Sequence, residues 1–223
     1  MDIILIPGMW LTGSAWAPIT GRLKQLGHNP IPLAGAGEDS AVTTLEELTA
    51  AVVDAIDSAD RPVVLGHSAA ATLAWIAADR RPDQVSRVLM LGGFPESDGA
   101  RYFNPFPAVD GKVAFPGWEP FEGPDSADLD AATRDRFVQE SIAVPEGITH
   151  APVQLTDDRR YEVPVTVICP EFSPAEAKEA VDGGHVPELS KAKRLDYVDL
   201  DSGHWPMFSR PAELAAVINS LLQ

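Results

Sequence analysis

The chain has 223 residues, 45% of them hydrophobic and 22% charged, with a formal net charge of −16. That length suits one domain, or one domain with an insertion, and the composition is that of an ordinary soluble globular protein. So negative a chain repels nucleic acid and anionic membrane surfaces, which excludes both as expected partners.

The first strand is IILIP, residues 3–7, a buried run followed by a loop. SAWAPITGRLKQLGH reads as a helix opened by a capping Ser14, weakened by Pro18 and ended near Gly27. NPIPL is a short strand whose prolines put it near the sheet edge. TTLEELTAAVVDAIDSA starts on a capping box, Thr43 or Thr44 with Glu46 or Glu47, and its apolar residues recur at helical spacing. The strand PVVLG leads into a helix over about 69–80, and SRVLMLGG is the next strand. After a gap, VPVTVIC is a strand, and SPAEAKEAVDG a helix with Ser173 as cap and Pro174 in its first turn. RLDYVDL is the sixth strand, and RPAELAAVINSLL, with Pro211 in its first turn, is the closing helix. Strand and helix alternate on both sides of the gap. This predicts an α/β fold, a mostly parallel sheet of about six strands covered by helices on both faces, built from residues 1–93 and 161–223.

Residues 94–160 break that rhythm. Phe94, Tyr102, Phe103, Phe106, Phe115, Trp118 and Phe121 crowd the first half, and SADLDAATRDRFVQESI reads as a helix in the second. A stretch too long for a simple loop, set after a sheet strand and rich in aromatics, reads as a small cap or lid insertion. The longest apolar stretch, residues 69–78, is too short to span a bilayer. The N-terminus has no basic segment followed by a long apolar one, so no signal peptide is expected. The single cysteine, Cys169, rules out an internal disulfide and fits a reducing compartment. These features together predict a cytoplasmic protein.

Three loops at the carboxyl ends of strands, where open α/β sheets bind ligands, carry reactive groups. The first is GHSAA. A strand-to-helix corner there forces Ser68 into a strained conformation and pushes its Oγ outward, and the flanking Gly66 and Ala70 are small, as such a corner requires. The alternative is a serine that only caps a helix. The second loop is SGHWP, where His204 follows the last strand and can reach the serine as general base. His28, His67, His150 and His185 read as histidines of no catalytic consequence. The third is IPGMWLTGS. The backbone N–H of Met9, with that of Ala69 after the serine, would form an oxyanion hole. Gly8 and Gly13 have phosphate-loop spacing, but Ser14 stands where lysine is needed and no Gly-x-Gly-x-x-Gly occurs, which argues against a nucleotide.

The stretches ILIPGMWLTGSAW, VVLGHSAAATLAW, VTVICPEF and LDSGHWPMFSRPAEL resemble the small α/β-hydrolase fold proteins. They are most similar to compact bacterial members, themselves distantly similar to the plant methylesterase and hydroxynitrile lyase group. The resemblance covers nearly the whole chain outside residues 94–160. It implies an α/β-hydrolase fold with Ser68 as nucleophile and His204 as base. Pro7 stands before Gly8 where many members have histidine, and Ala70 replaces the last glycine of Gly-x-Ser-x-Gly; neither departure removes a reacting group. The family usually takes an aspartate from the loop after the strand preceding the last. That loop here is CPEFS, and Glu171 is its only carboxylate and the first candidate acid. Relatives that place the acid one strand earlier would use Glu96 or Asp98 in GGFPESDG. Asp199 and Asp201 suit turn and edge roles, and Cys169, ending a buried apolar run, reads as packing.

The combined expectation is a serine esterase needing no cofactor or metal. It would act on a small, hydrophobic or uncharged ester or lactone through an acyl-enzyme on Ser68. Trp10, Phe94 and Trp205 are the candidate substrate-binding residues, and the protein is expected as a monomer or homodimer. Two rivals stay open. One is a lyase or cofactor-free oxygen-using enzyme on the same scaffold. The other is a ligand-binding protein that keeps the pocket but hydrolyses slowly or not at all, an idea motivated by the missing aspartate.

Overall fold

The computed structural model describes residues 1–223. β1 (Asp2–Ile6) is buried over its last four residues. A short 3-10 turn at Gly13–Trp16 runs into α1 (Ala17–Gln25). Pro18 opens this helix rather than weakening it, because it lies in the first turn, where a missing N–H loses no bond. Nor does Ser14 cap it; its hydroxyl pairs with that of Thr12 at 2.6 Å. β2 (Asn29–Pro32) is an edge strand, as its prolines predict. α2 (Leu45–Asp57) starts on a capping box of Thr44 and Glu47, each satisfying the other's backbone N–H.

β3 (Val63–His67) and α3 (Ala70–Arg80) flank Ser68. Every residue of α3 except Arg80 is buried, which its run of alanines permits by letting the helix lie deep against the sheet. β4 (Arg87–Leu91) precedes the long segment foreseen as an insertion. That segment contains β5 (Lys112–Val113), α4 (Ala131–Glu140), β6 (Val144–Pro145) and α5 (Glu146–Thr149). β5 and β6 pair antiparallel as a small ribbon of their own. The chain returns to the sheet past Arg160. This buried guanidinium reaches Asp79 at 3.1 Å and Glu188 at 3.0 Å, so its charge is paired on both sides. β7 (Val165–Cys169), α6 (Pro174–Asp182) and β8 (Leu195–Asp199) follow, with Ser173 and Glu176 forming the second capping box. A one-turn helix, α7 (Pro206–Ser209), leads into α8 (Pro211–Ser220).

The six long strands form one parallel sheet in the order β2-β1-β3-β4-β7-β8. Alternate residues of the strands feed two cores. Ile4, Ile6, Val64, Val88 and Val167 face α2, α3 and α6, while Ile3, Leu5, Leu65, Leu89 and Ile168 face α1 and α8. With both faces covered, the central strands are mostly apolar, interrupted by few polar residues such as Thr166 and His67, which is why they were legible as buried runs. The chain leaves β1 for β2 on one side and returns to β3 on the other. The loops after β1 and β3 therefore diverge at the switch point of the sheet, where a crevice opens at the strand ends.

Candidate active site

Ser68 occupies the corner between β3 and α3 with φ +56, a left-handed conformation rare for a residue with a side chain. The corner is held on both sides: Ser68 N–H donates to the Leu91 carbonyl at 2.8 Å, and its own carbonyl accepts from Ala71 N–H at 2.9 Å. Ser68 therefore does not cap α3 through its hydroxyl; Ala69 occupies that position without a side-chain bond. The requirement for small neighbours is met unequally. A Cβ on Gly66 would lie 2.1 Å from the Ala70 carbonyl oxygen, so no larger residue fits, whereas the Ala70 methyl is simply buried.

His204 comes from the loop after β8 and meets Glu171 from the loop after β7. Their Nδ1 and Oε1 atoms are 2.6 Å apart, and each side chain is 13% exposed. A carboxylate can only accept, so Nδ1 carries a proton, and in the neutral ring the lone pair is on Nε2. Three further contacts hold this loop. The His204 N–H donates to the Asp125 carbonyl at 2.7 Å, and the Gly203 N–H donates to Asp128 Oδ2 at 2.8 Å. The His204 carbonyl accepts from His67 Nε2–H at 2.7 Å. Burial raises the Asp125 carboxyl above its ordinary range; His204 opposes that shift and Glu171 adds to it.

His67, read from sequence as inconsequential, is thus fully buried between Ser68 and the His204 loop. Burial, together with the neighbouring His204, lowers its pKa from 6.5 to about 3. It is a neutral donor in the fold yet free to protonate in the unfolded chain. The unfolded state therefore binds the extra proton as pH drops through 6.5, and stability is lost down to about 3. His67→Gln, which keeps a donor, is expected to flatten the slope of Tm against pH in that window. Parallel melts of the two proteins check this, and identical slopes would mean that His67 titrates normally.

The N–H groups of Met9 and Ala69 make no hydrogen bond within the chain. Both residues adjoin Ser68, Met9 across the crevice and Ala69 in sequence. Ser68, His204 and Met9 face a cavity of about 200 Å³ whose remaining walls are largely aromatic: Trp10, Phe103, Phe106, Phe121 and Trp205. No Asp, Glu, Lys or Arg lines it. Trp10 has φ +64 and is tied at both ends to the segment between β4 and β7. Its Nε1–H donates to the Val113 carbonyl at 3.2 Å, and its carbonyl accepts from Ile142 N–H at 3.0 Å. Trp205 sets its ring edge-to-face with His204 at 4.8 Å.

The structure thus brings together Ser68, His204, Glu171, Met9, Ala69, Trp10 and Trp205 of the sequence candidates. Phe94 is elsewhere: it stacks on Phe172 at 5.4 Å, behind Glu171, and does not line the cavity. Glu96 is exposed, with its N–H donated to Thr72, and Asp98 accepts from Leu155 N–H at 2.9 Å; neither reaches His204. Sequence reasoning flagged Phe103, Phe106 and Phe121 only as part of an aromatic cluster. It missed Asp125 and Asp128, which have no motif to announce them. Cys169 is buried, and burial above all pushes its thiol up to about 12, which leaves it unreactive. No group of three or more His, Cys, Asp or Glu side chains is arranged to hold a metal ion.

The profile of the alpha/beta hydrolase family matches residues 3–217. Lipase LipV of Mycobacterium tuberculosis (strain ATCC 25618 / H37Rv) is 28% identical over 244 residues, spanning 99% of this chain and 92% of that protein. Among solved structures, an extracellular alpha/beta-hydrolase from a Paenibacillus species matches with a TM-score of 0.79 at 20% identity, over 99% of this chain and 98% of that one. It is described as sharing structural and functional homology with tobacco salicylic acid binding protein 2. Methylesterase MES16 from Arabidopsis matches with a TM-score of 0.78 at 14% identity, over 100% and 98% of the two chains. At such identities the two structures speak for the fold.

Proposed function

The chain belongs to the alpha/beta hydrolase family, and on that premise we propose that it hydrolyses small, uncharged or hydrophobic esters or lactones through an acyl-enzyme on Ser68. The observation that carries this reading is the Glu171–His204 pair. Its 2.6 Å bond orients the imidazole, and in the neutral ring selects the tautomer that leaves Nε2 free, on the wall of the same cavity as the strained Ser68. Ser68 Oγ attacks the ester carbonyl while His204 Nε2 takes its proton. The oxyanion is held by the Met9 and Ala69 N–H groups, which have no other acceptor in the chain. His204 returns the proton to the leaving alkoxide or, for a lactone, to the ring oxygen as the ring opens. Water, deprotonated by His204, then frees the acid and restores Ser68. Glu171 keeps its charge throughout and stabilises the imidazolium.

An aromatic cavity without charged side chains supports the substrate class, since a charged acyl group would lose its hydration and find no partner. The names lipase and methylesterase among the relatives support an ester over other leaving groups. Residues 94–160 act as the cap, because Phe103, Phe106 and Phe121 of the cavity wall come from them. A fluorophosphonate probe tests the nucleophile. Peptide mass spectrometry is expected to find the label on Ser68, and a folded protein left unlabelled there would favour the ligand-binding alternative.

A further inference from the structure

The loop after β1 turns sharply beside Ser68. Leu11 N–H donates to the Gly8 carbonyl at 3.3 Å, which closes a β-turn with Met9 and Trp10 at its centre. The turn is pressed against the nucleophile corner: a Cβ added to Gly8 would lie 3.2 Å from the Ser68 Cβ. Trp10 takes φ +64 there, a conformation that glycine adopts freely and tryptophan does not. Such strain persists only where surrounding contacts over-determine it. The hydrogen bonds and ring contacts of Trp10 all lead into residues 94–160. Its buried indole N–H donates to Val113 in β5, and its carbonyl accepts from Ile142 N–H just before β6. Its ring meets Phe103, Phe106, Phe115 and Phe121 at centroid distances of 5.4 to 5.8 Å. β5 and β6 pair with each other, so the two polar anchors are parts of one piece. The Met9 N–H, without an acceptor in the chain, is on the residue next to these anchors.

We propose that Trp10 is a positioning residue for the reaction at Ser68: its two hydrogen bonds to the β5–β6 ribbon hold the strained turn that presents the Met9 N–H to the oxyanion. The inference rests on the ester-hydrolase reading of Ser68, with Met9 as an oxyanion donor. Such a donor works only within about 2.7–3.1 Å of the place the charged oxygen will occupy. A displacement of about 1 Å costs on the order of 10²-fold in rate. The segment over the cavity therefore does more than wall it. Through Trp10 it sets one of the two donors.

The test uses p-nitrophenyl acetate, whose methyl group makes least use of the cavity wall, and two variants. Trp10→Phe removes the indole N–H and keeps a ring. Ile142→Pro removes the N–H that the Trp10 carbonyl accepts, at a residue that does not line the cavity. Ser141 before it has φ −63 and ψ 138, the backbone that a residue preceding proline takes. Each variant is expected to lower kcat by about 10-fold or more, counted per Ser68 that takes up fluorophosphonate, with KM little changed. Affinity for a trifluoromethyl ketone, which Ser68 attacks to leave an oxyanion in the hole, should fall by a similar factor. The acid limb of kcat/KM against pH should stay in place, because no titrating group has moved. A shifted limb would assign the loss to His204 and overturn the inference. Fewer labelled sites with unchanged kcat per site, a rise in KM alone, or a loss in only one of two folded variants would overturn it as well. If only one variant folds, its kcat, KM and ketone affinity decide. A wild type with neither label on Ser68 nor turnover overturns the reading of Ser68 itself, and this inference with it.

Discussion

Ser68→Ala is expected to lower kcat on a short-chain aryl ester by ~10⁶-fold while leaving Tm close to that of the wild type. The loss is chemical, because alanine keeps the Cβ and the backbone bonds that hold the corner and removes only the attacking oxygen. His204→Ala should fall to a similar level, and the double variant no further, because nucleophile and base act in one step. What remains above the rate in water, on the order of 10³-fold, would come from binding and from the Met9 and Ala69 donors. Stopped-flow burst kinetics make the argument sharper: the wild type should show an acyl-enzyme burst and Ser68→Ala none. Turnover that survives the substitution would place the nucleophile elsewhere.

Glu171→Gln is expected to reduce kcat by ~10⁴-fold with KM little changed. Glutamine has the size of glutamate but no charge to stabilise an imidazolium. Its amide can also present N–H to His204 Nδ1, which moves the ring proton to Nε2 and blocks the base. The 2.6 Å bond makes this change specific to one carboxylate. Glu96→Gln and Asp98→Asn should retain wild-type turnover, since Glu96 faces solvent and Asp98 is engaged with Leu155. A loss confined to Glu96→Gln would move the acid to the loop after β4.

The sheet was legible because each part of its signal is local. Buried strands showed as apolar runs, and two helices showed through their capping boxes at Thr44 and Ser173. The loops bearing Ser68, His204 and Glu171 were legible for a related reason: they follow strands, and parallel strands bring their ends to one edge. Chain order alone did not separate Glu171 from Glu96, because the choice depends on which loop bends toward His204. Phe94 was misplaced on the same account. It follows a strand end as Trp10 and Trp205 do, but Phe172 offered it a ring to stack on. Asp125 acts through its backbone carbonyl and His67 on a backbone carbonyl, contacts that leave no trace in residue type. Asp128 meets Gly203 across 75 positions of chain, and no short-range pattern encodes such a meeting.

The turn at Asp125–Asp128 also bears on how such a chain can be recombined. The histidine loop hangs by two N–H groups from a stretch that lies outside the sheet. Exchanging that stretch with a relative's to change substrate range would remove the acceptors for Gly203 and His204 along with the old walls. The turn and the SGHWP loop therefore behave as a single unit of inheritance, although more than seventy residues lie between them. Chimaeras that draw both from one parent keep His204 in register. Those that split them inherit a pocket without the geometry to use it.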